Sequence, residues 1–103
     1  MSAVVAFVPD LMDRSKVAAA VPSAVVVRSL DRLAELAAPG TTIVVDLSRP
    51  GVSDAIPALV AAGARVVGFG SHVAREDLAA AAAQGCAVYA RSAFFADIAA
   101  AVA

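Results

Sequence analysis

The chain has 103 residues, of which 61% are hydrophobic and 17% are charged, and its formal net charge at pH 7 is -1. This length and composition predict one globular domain over residues 1–103 and exclude a disordered chain, because enough apolar surface is available to form a core. The nearly neutral charge provides no basic field for a polyanion, so we expect neither nucleic acid nor an anionic membrane surface as a partner.

Charged residues interrupt each apolar segment before it reaches the roughly 20 residues that a membrane-spanning helix needs. The chain begins with a strand-like run that no basic region precedes, so no signal peptide is predicted. Cys86 is the single cysteine and cannot form an internal disulfide, which fits a reducing compartment. We therefore expect a cytoplasmic protein.

Short β-branched runs and helix-forming segments alternate along the chain. The predicted strands are residues 3–8, 24–28, 41–47, 65–69 and 86–90. The predicted helices are residues 11–21, 30–38, 53–62, 75–84 and 93–102, the last with Ser92 as its N-cap. Pro57 is expected in the first turn of its helix, where a missing N–H costs little.

Strands that are joined by single helices of this length pair in parallel through right-handed crossovers. The nearly continuous valine and isoleucine runs agree, because strands covered by helices on both faces have no polar side. The sequence therefore predicts an α/β fold, a doubly wound (βα)5 unit of the flavodoxin-like type with a parallel five-stranded sheet in the order 2-1-3-4-5. This order places Asp10, just beyond strand one, beside Asp46 at the end of strand three, in the crevice where ligands of such sheets bind.

The segment Asp46-Leu47-Ser48-Arg49-Pro50-Gly51 resembles the phosphoacceptor segment of bacterial response-regulator receiver domains of the CheY-like kind. The resemblance covers the whole chain: residues 66–72 resemble the fourth receiver strand and its loop, and residues 85–94 resemble the fifth strand and its exit. Asp10 lies where a receiver has one of its metal-binding acids. The resemblance implies signal transduction in a two-component system, with phosphoryl transfer from a histidine kinase to Asp46 and Mg2+ bound by Asp10 and Asp46.

Three positions depart from the receiver pattern. Pro9 replaces the first of two adjacent acids, Gly70 replaces a hydroxyl-bearing residue, and Ser92 followed by Ala93 replaces a lysine followed by proline. Arg91 can replace that lysine only if the fifth strand has ended before it, because neighbouring residues of a strand point to opposite faces. We interpret the chain as a degenerate receiver.

Three functions are compatible with these residues. The first is a stand-alone pseudo-receiver that acts through protein–protein contact, is not an enzyme and has lost conventional phosphorylation of the aspartate. The second is an atypical phosphoacceptor that uses Asp46 with Mg2+, and in which Arg91 or Ser92 replaces the lost groups. The third is a flavodoxin-like module that binds a small molecule or anion in a pocket, for which the candidate residues are Ser48, Arg49, Gly70, Ser71, Arg91 and Ser92.

Each of the acids and arginines also has a purely structural interpretation. Asp10 is a candidate cap of the first helix, Asp46 a solvated acid at a strand end, and Asp13 a surface charge. Arg49 and Arg91 are expected to form ion pairs with the acids rather than to bind an anionic ligand.

Other single residues are open to similar alternatives. His72 is interpreted as a loop residue that caps the fourth helix, and Cys86 as a small core residue. Tyr89, Phe94 and Phe95 are either core residues or an interface for a homodimer or output partner, and at least one of the two adjacent phenylalanines should face outward.

Overall fold

Five parallel strands form the centre of the computed structural model, which describes residues 3–71 and 74–103. The strands are β1 (Ala3–Phe7), β2 (Val25–Val26), β3 (Thr41–Asp46), β4 (Arg65–Gly70) and β5 (Ala87–Ala90). The helices are α1 (Leu11–Ala20), α2 (Leu30–Leu36), α3 (Val52–Ala61), α4 (Arg75–Ala83), α5 (Arg91–Ala96) and α6 (Ile98–Val102). The strand order is β2-β1-β3-β4-β5, so the predicted flavodoxin-like topology is confirmed.

Two apolar layers cover the sheet. Alternate residues of β3 face opposite layers: Ile43 and Val45 pack with α2, α3 and α4, whereas Val44 packs with α1, α5 and α6. All three side chains are fully buried, and β3 pairs with β1 on one side and with β4 on the other. The predicted absence of a polar face on the strands follows from this double covering.

The structure corrects two details of the predicted helices. Pro57 is the sixth residue of α3, which begins at Val52, so it lies in the interior of the helix and not in its first turn. The predicted last helix is divided at Asp97, whose carboxylate accepts a hydrogen bond from the N–H of Ala100 at 3.1 Å and so caps α6.

The N-terminus of the preceding helix also differs from the prediction. Helix α5 begins at Arg91 and has Ala90 as its N-cap residue, so Ser92 is an exposed residue of the helix and not its cap. The edge strand β2 has two residues, fewer than predicted. No helix among the described residues is long and apolar enough to cross a membrane.

Candidate functional site

The third strand ends in a buried carboxylate that its own turn encloses. Asp46 is the last residue of β3 and is 3% exposed. Its Oδ1 accepts hydrogen bonds from the N–H of Ser48 at 3.0 Å and from the Ser48 hydroxyl at 2.7 Å. The Nε of Arg49 lies 3.6 Å from the other carboxylate oxygen, Oδ2. Asp46 is therefore not the solvated acid that one interpretation of the sequence predicted, but it does form the expected ion pair with Arg49.

Asp10 caps the first helix. Its Oδ1 accepts a hydrogen bond from the N–H of Asp13 at 2.9 Å. This bond, and secondarily the nearby positive charges of Arg49 and Arg91, lower the pKa of the Asp10 carboxyl from its ordinary value. The capping role that the sequence left open is thus present in the structure.

Asp13 was expected at the surface, but it is 5% exposed and forms a bidentate ion pair at the carboxyl ends of the strands. Both of its oxygens accept hydrogen bonds from the guanidinium of Arg91, at 2.8 and 2.9 Å. The same guanidinium lies over the rings of Phe69 and Phe95, with 5.5 and 5.1 Å to the ring centroids. The hydrogen bonds with Asp13 raise the pKa of Arg91.

This pair depends on where the fifth strand ends. Strand β5 ends at Ala90, and Arg91 is the first residue of α5. The direction of the Arg91 side chain is therefore not set by the alternating faces of the strand, and the side chain contacts Asp13 on α1. The sequence contains one signal for the burial of Asp13, because the apolar residue Val17 lies one turn further along the same helix and therefore on the same face. Val17 is fully buried in the structure.

The cluster of Asp10, Asp13, Asp46, Arg49 and Arg91 brings three carboxylates and two guanidinium groups to the carboxyl ends of β1, β3 and β5. The hydrogen bonds with Asp13 raise the pKa of Arg91 most, and the negative charges of Asp13, Asp46 and Asp10 raise it further. Within residues 3–71 and 74–103, no group of three or more histidine, cysteine or acidic side chains is arranged to hold a metal ion. Both oxygens of Asp13 and Oδ1 of Asp46 already accept hydrogen bonds, and magnesium would compete with these donors for oxygen ligands.

A cavity of about 180 Å³ lies beside the turn that follows β3. The residues that line it are Leu47, Ser48, Gly70, Ser71, Ala74, Asp77 and Leu78. Three of the predicted pocket residues, Ser48, Gly70 and Ser71, therefore come together, whereas Arg49, Arg91 and Ser92 do not line this cavity. A Cβ at residue 70 would lie 3.0 Å from Cδ2 of Leu78, so a hydroxyl-bearing residue there would require Leu78 to move.

The aromatic residues near β5 pack mainly with one another. Phe94 is fully buried and stacks on Phe69, with 4.8 Å between the ring centroids. Phe95 is half-buried, meets both of those rings edge-on and has the Lys16 ammonium 5.3 Å from its centroid. Tyr89 is half-buried with its ring 6.3 Å from that of Phe94. The core interpretation accounts for Phe94, and the interface interpretation of Tyr89 and Phe95 stays a prediction.

The two remaining candidates take no part in the carboxylate cluster. Cys86 is a buried free cysteine, as predicted, and desolvation by burial raises the pKa of its thiol to about 11. A thiol with this pKa is a poor nucleophile at neutral pH. The predicted capping role of His72 lies outside the described residues.

No protein-family model, curated protein or solved structure matches this chain. The fold itself is that of a flavodoxin-like α/β protein, with an all-parallel sheet and a charged cluster at the position where the strand order reverses.

Proposed function

We propose that the chain is a degenerate receiver, or pseudo-receiver, that acts in cytoplasmic signalling through protein–protein contact and is not phosphorylated at Asp46. The buried and hydrogen-bonded carboxylate of Asp46 is the observation that carries this proposal. To accept a phosphoryl group, a carboxylate oxygen must reach the phosphorus in line with the leaving group. Ser48 donates two hydrogen bonds to Oδ1, and Arg49 forms an ion pair with Oδ2 at 3.6 Å. Both oxygens therefore already interact with residues of the turn, which disfavours in-line attack.

The engagement of Arg91 supports the same proposal. Transfer of a phosphoryl group to an aspartate develops negative charge that a nearby cation has to offset. Arg91 donates two hydrogen bonds to Asp13. It would have to break this bidentate pair before its charge could offset the charge of a phosphoryl group on Asp46.

Two exposed apolar side chains support the role in protein contact. Leu11 and Met12 follow Asp10 directly, and they are 64% and 70% exposed. Large apolar side chains that are grouped at the surface are typical of contact sites. They lie at the first turn of α1, beside the charged cluster, so a partner bound there would also contact the carboxyl edge of the sheet.

Intact-mass analysis after incubation with acetyl phosphate and Mg2+ tests the proposal. We expect no stoichiometric modification of the unaltered chain, and the same result for the Asp46→Asn variant, in which no acceptor is present. Addition of one phosphoryl group per chain that Asp46→Asn abolishes would contradict the proposal.

One observation favours a second candidate, an atypical phosphoacceptor. Strand β5 ends before Arg91, which satisfies the condition for this residue to replace the receiver lysine. Titration with Mg2+ and beryllofluoride, followed by amide chemical shifts, distinguishes the candidates. Saturable shifts at Asp10 and Asp46 that are lost in Asp46→Asn would favour the phosphoacceptor, whereas an unchanged spectrum is expected for the pseudo-receiver.

Sedimentation equilibrium tests whether the protein partner is a second copy of the chain. The double variant Leu11→Ser/Met12→Ser removes the exposed apolar pair, and Val25→Ser, which replaces a 50% exposed valine on β2, is the matched control. If the contact is between copies, the unaltered chain and the control form dimers and the double variant does not. A monomeric unaltered chain would exclude a second copy as the partner.

A further inference from the structure

A second depression lies between α1 and the exit of β2, and it shares no residue with the carboxylate cluster. Its volume is about 340 Å³, within the range of small-molecule sites. Arg14, Ser15 and Ala18 line it from α1, Val26 from β2, and Arg28 from the segment that follows. The site thus lies near the carboxyl end of an edge strand, on the side of the sheet where ligands of this fold class bind.

The two arginines of this depression differ from most others in the chain. Arg32, Arg49 and Arg91 pair with carboxylates, and Arg65 donates to the backbone carbonyls of Ala101 and Ala103. Within the part of the chain that the structure describes, Arg14 and Arg28 have neither an ion pair nor a side-chain hydrogen bond. No acidic residue lines the depression, so its positive charge is not neutralised locally.

The other lining residues indicate what kind of ligand, beyond a negatively charged group, would fit the depression. The Ser15 hydroxyl donates to the carbonyl of Leu11 at 2.8 Å, which leaves the two guanidinium groups as the side-chain donors of the site. Ala18 and Val26 provide apolar surface between them. A ligand that matches this lining has one doubly charged anionic group and an apolar body.

We propose that this depression binds a small organic phosphate. The phosphate accepts hydrogen bonds from Arg14 and Arg28, since a guanidinium matches the oxygens of a phosphate group in pairs and two of them balance its double charge. The body of the ligand covers Ala18 and Val26. The site contains no residue of the Asp46 turn. Phosphate binding here can therefore be tested independently of the pseudo-receiver proposal.

Amide chemical-shift titrations with phenyl phosphate and with inorganic phosphate, at constant pH and ionic strength, test the proposal. We expect saturable shifts centred on Arg14, Ser15 and Arg28, and tighter binding of phenyl phosphate because its ring can cover the apolar surface. Shifts that spread over the protein without saturating would overturn the proposal, and equal affinity for the two probes would overturn the role of the apolar residues.

Three single variants separate a site from general attraction to positive charge. Arg14→Gln and Arg28→Gln should each weaken phenyl phosphate binding by about tenfold, the effect of losing a hydrogen bond to a charged group. Arg75→Gln is the matched control, because Arg75 also has no ion pair in the described part of the chain but lies on α4. Amide spectra verify that each variant is folded. An equal loss of affinity in all three variants, or full affinity in the double variant Arg14→Gln/Arg28→Gln, would contradict the proposal.

Discussion

At the level of single residues, Asp13 and Arg91 join α1 to α5 through two hydrogen bonds of 2.8 and 2.9 Å. The acid is buried, whereas 44% of the arginine side chain is exposed. Because solvent screens the exposed partner, the pair contributes less than one that is buried on both sides. Its larger effect is structural, since it fixes the start of α5 against the first helix.

We expect Arg91→Gln to lower the free energy of unfolding by about 1–3 kcal/mol, because it leaves the Asp13 carboxylate buried without a cation. Asp13→Asn should lower the free energy of unfolding by less than Arg91→Gln does, since no buried charge remains at residue 13. Urea unfolding provides the measurement. The control is Arg32→Gln, which removes an exposed ion pair with Glu35 and should change stability by at most about 0.5 kcal/mol. Equal losses in Arg91→Gln and Arg32→Gln would show that burial of Asp13 has no energetic consequence.

Asp10 should make the stability of the protein depend on pH in the acid range. Its pKa is lower in the folded state than the ordinary value of 3.8, mainly because the N–H of Asp13 donates to its carboxylate. The cap therefore stabilises the fold fully above the unfolded value and loses this contribution as the pH falls through the lower folded value. In Asp10→Asn the amide oxygen can still cap the helix but does not ionise.

We accordingly expect the stability of Asp10→Asn to fall less steeply than that of the unaltered chain below pH 3.8, the ordinary value of this carboxyl. Urea unfolding of both proteins, from neutral pH into the acid range, measures the difference. Curves that stay parallel over that range would mean that the cap does not distinguish the two charge states of Asp10.

At the level of elements, Gly63 ends α3 in a conformation that favours glycine. Its φ is +90°, and the N–H groups of Gly63 and Ala64 donate to the carbonyls of Val60 and Leu59, at 2.9 and 3.4 Å. This pattern is the Schellman motif. A Cβ on Gly63 would lie 2.8 Å from Cγ of Pro39, so the position combines backbone strain with a close contact.

Gly63→Ala should therefore destabilise the protein more than Gly40→Ala does. Gly40 has a similar φ of +85° but no atom within 4 Å of a Cβ placed there, so its substitution costs only the strain, about 1–2 kcal/mol. The difference between the two variants in urea unfolding measures the contact with Pro39. No difference would mean that the Pro39 ring moves away at negligible cost.

The elements also show which features the sequence alone could predict. The alternation of β-branched runs and helices predicts the parallel, doubly wound sheet, because burial on both faces of each strand depends on local composition. The strand order does not follow from composition and was predicted by analogy with flavodoxin-like domains. The sequence analysis did not predict the break at Asp97. Half of residues 93–102 are alanine, a good helix former, and the segment contains no glycine or proline to indicate a break. The site was predicted in part. The strand order predicts that Asp10 and Asp46 lie at the same edge of the sheet. The burial of Asp13 depends on its ion pair with Arg91, 78 residues later in the chain.

At the level of the whole molecule, the sheet is stabilised unevenly from its centre to its edges. In β3, the side chains of Ile43, Val44 and Val45 are fully buried, and the strand pairs on both sides. Strand β2 consists of two residues, pairs only with β1 and leaves Val25 half exposed. Local opening exposes less apolar surface at β2 than at β3, so it should cost less free energy.

Native-state hydrogen exchange should therefore resolve two classes of strand amides. We expect the amides of residues 43–45 to exchange only through global unfolding, so that their opening free energy equals the free energy of unfolding from urea denaturation. The amide of Val27, which donates to the carbonyl of Ala6 at 2.9 Å beside the short β2 strand, should exchange through local opening at a lower free energy. If the Val27 amide were as protected as those of β3, the first two strands would unfold together with the centre. The depression that Arg14 and Arg28 line would then belong to the most stable part of the sheet rather than to an edge that opens locally.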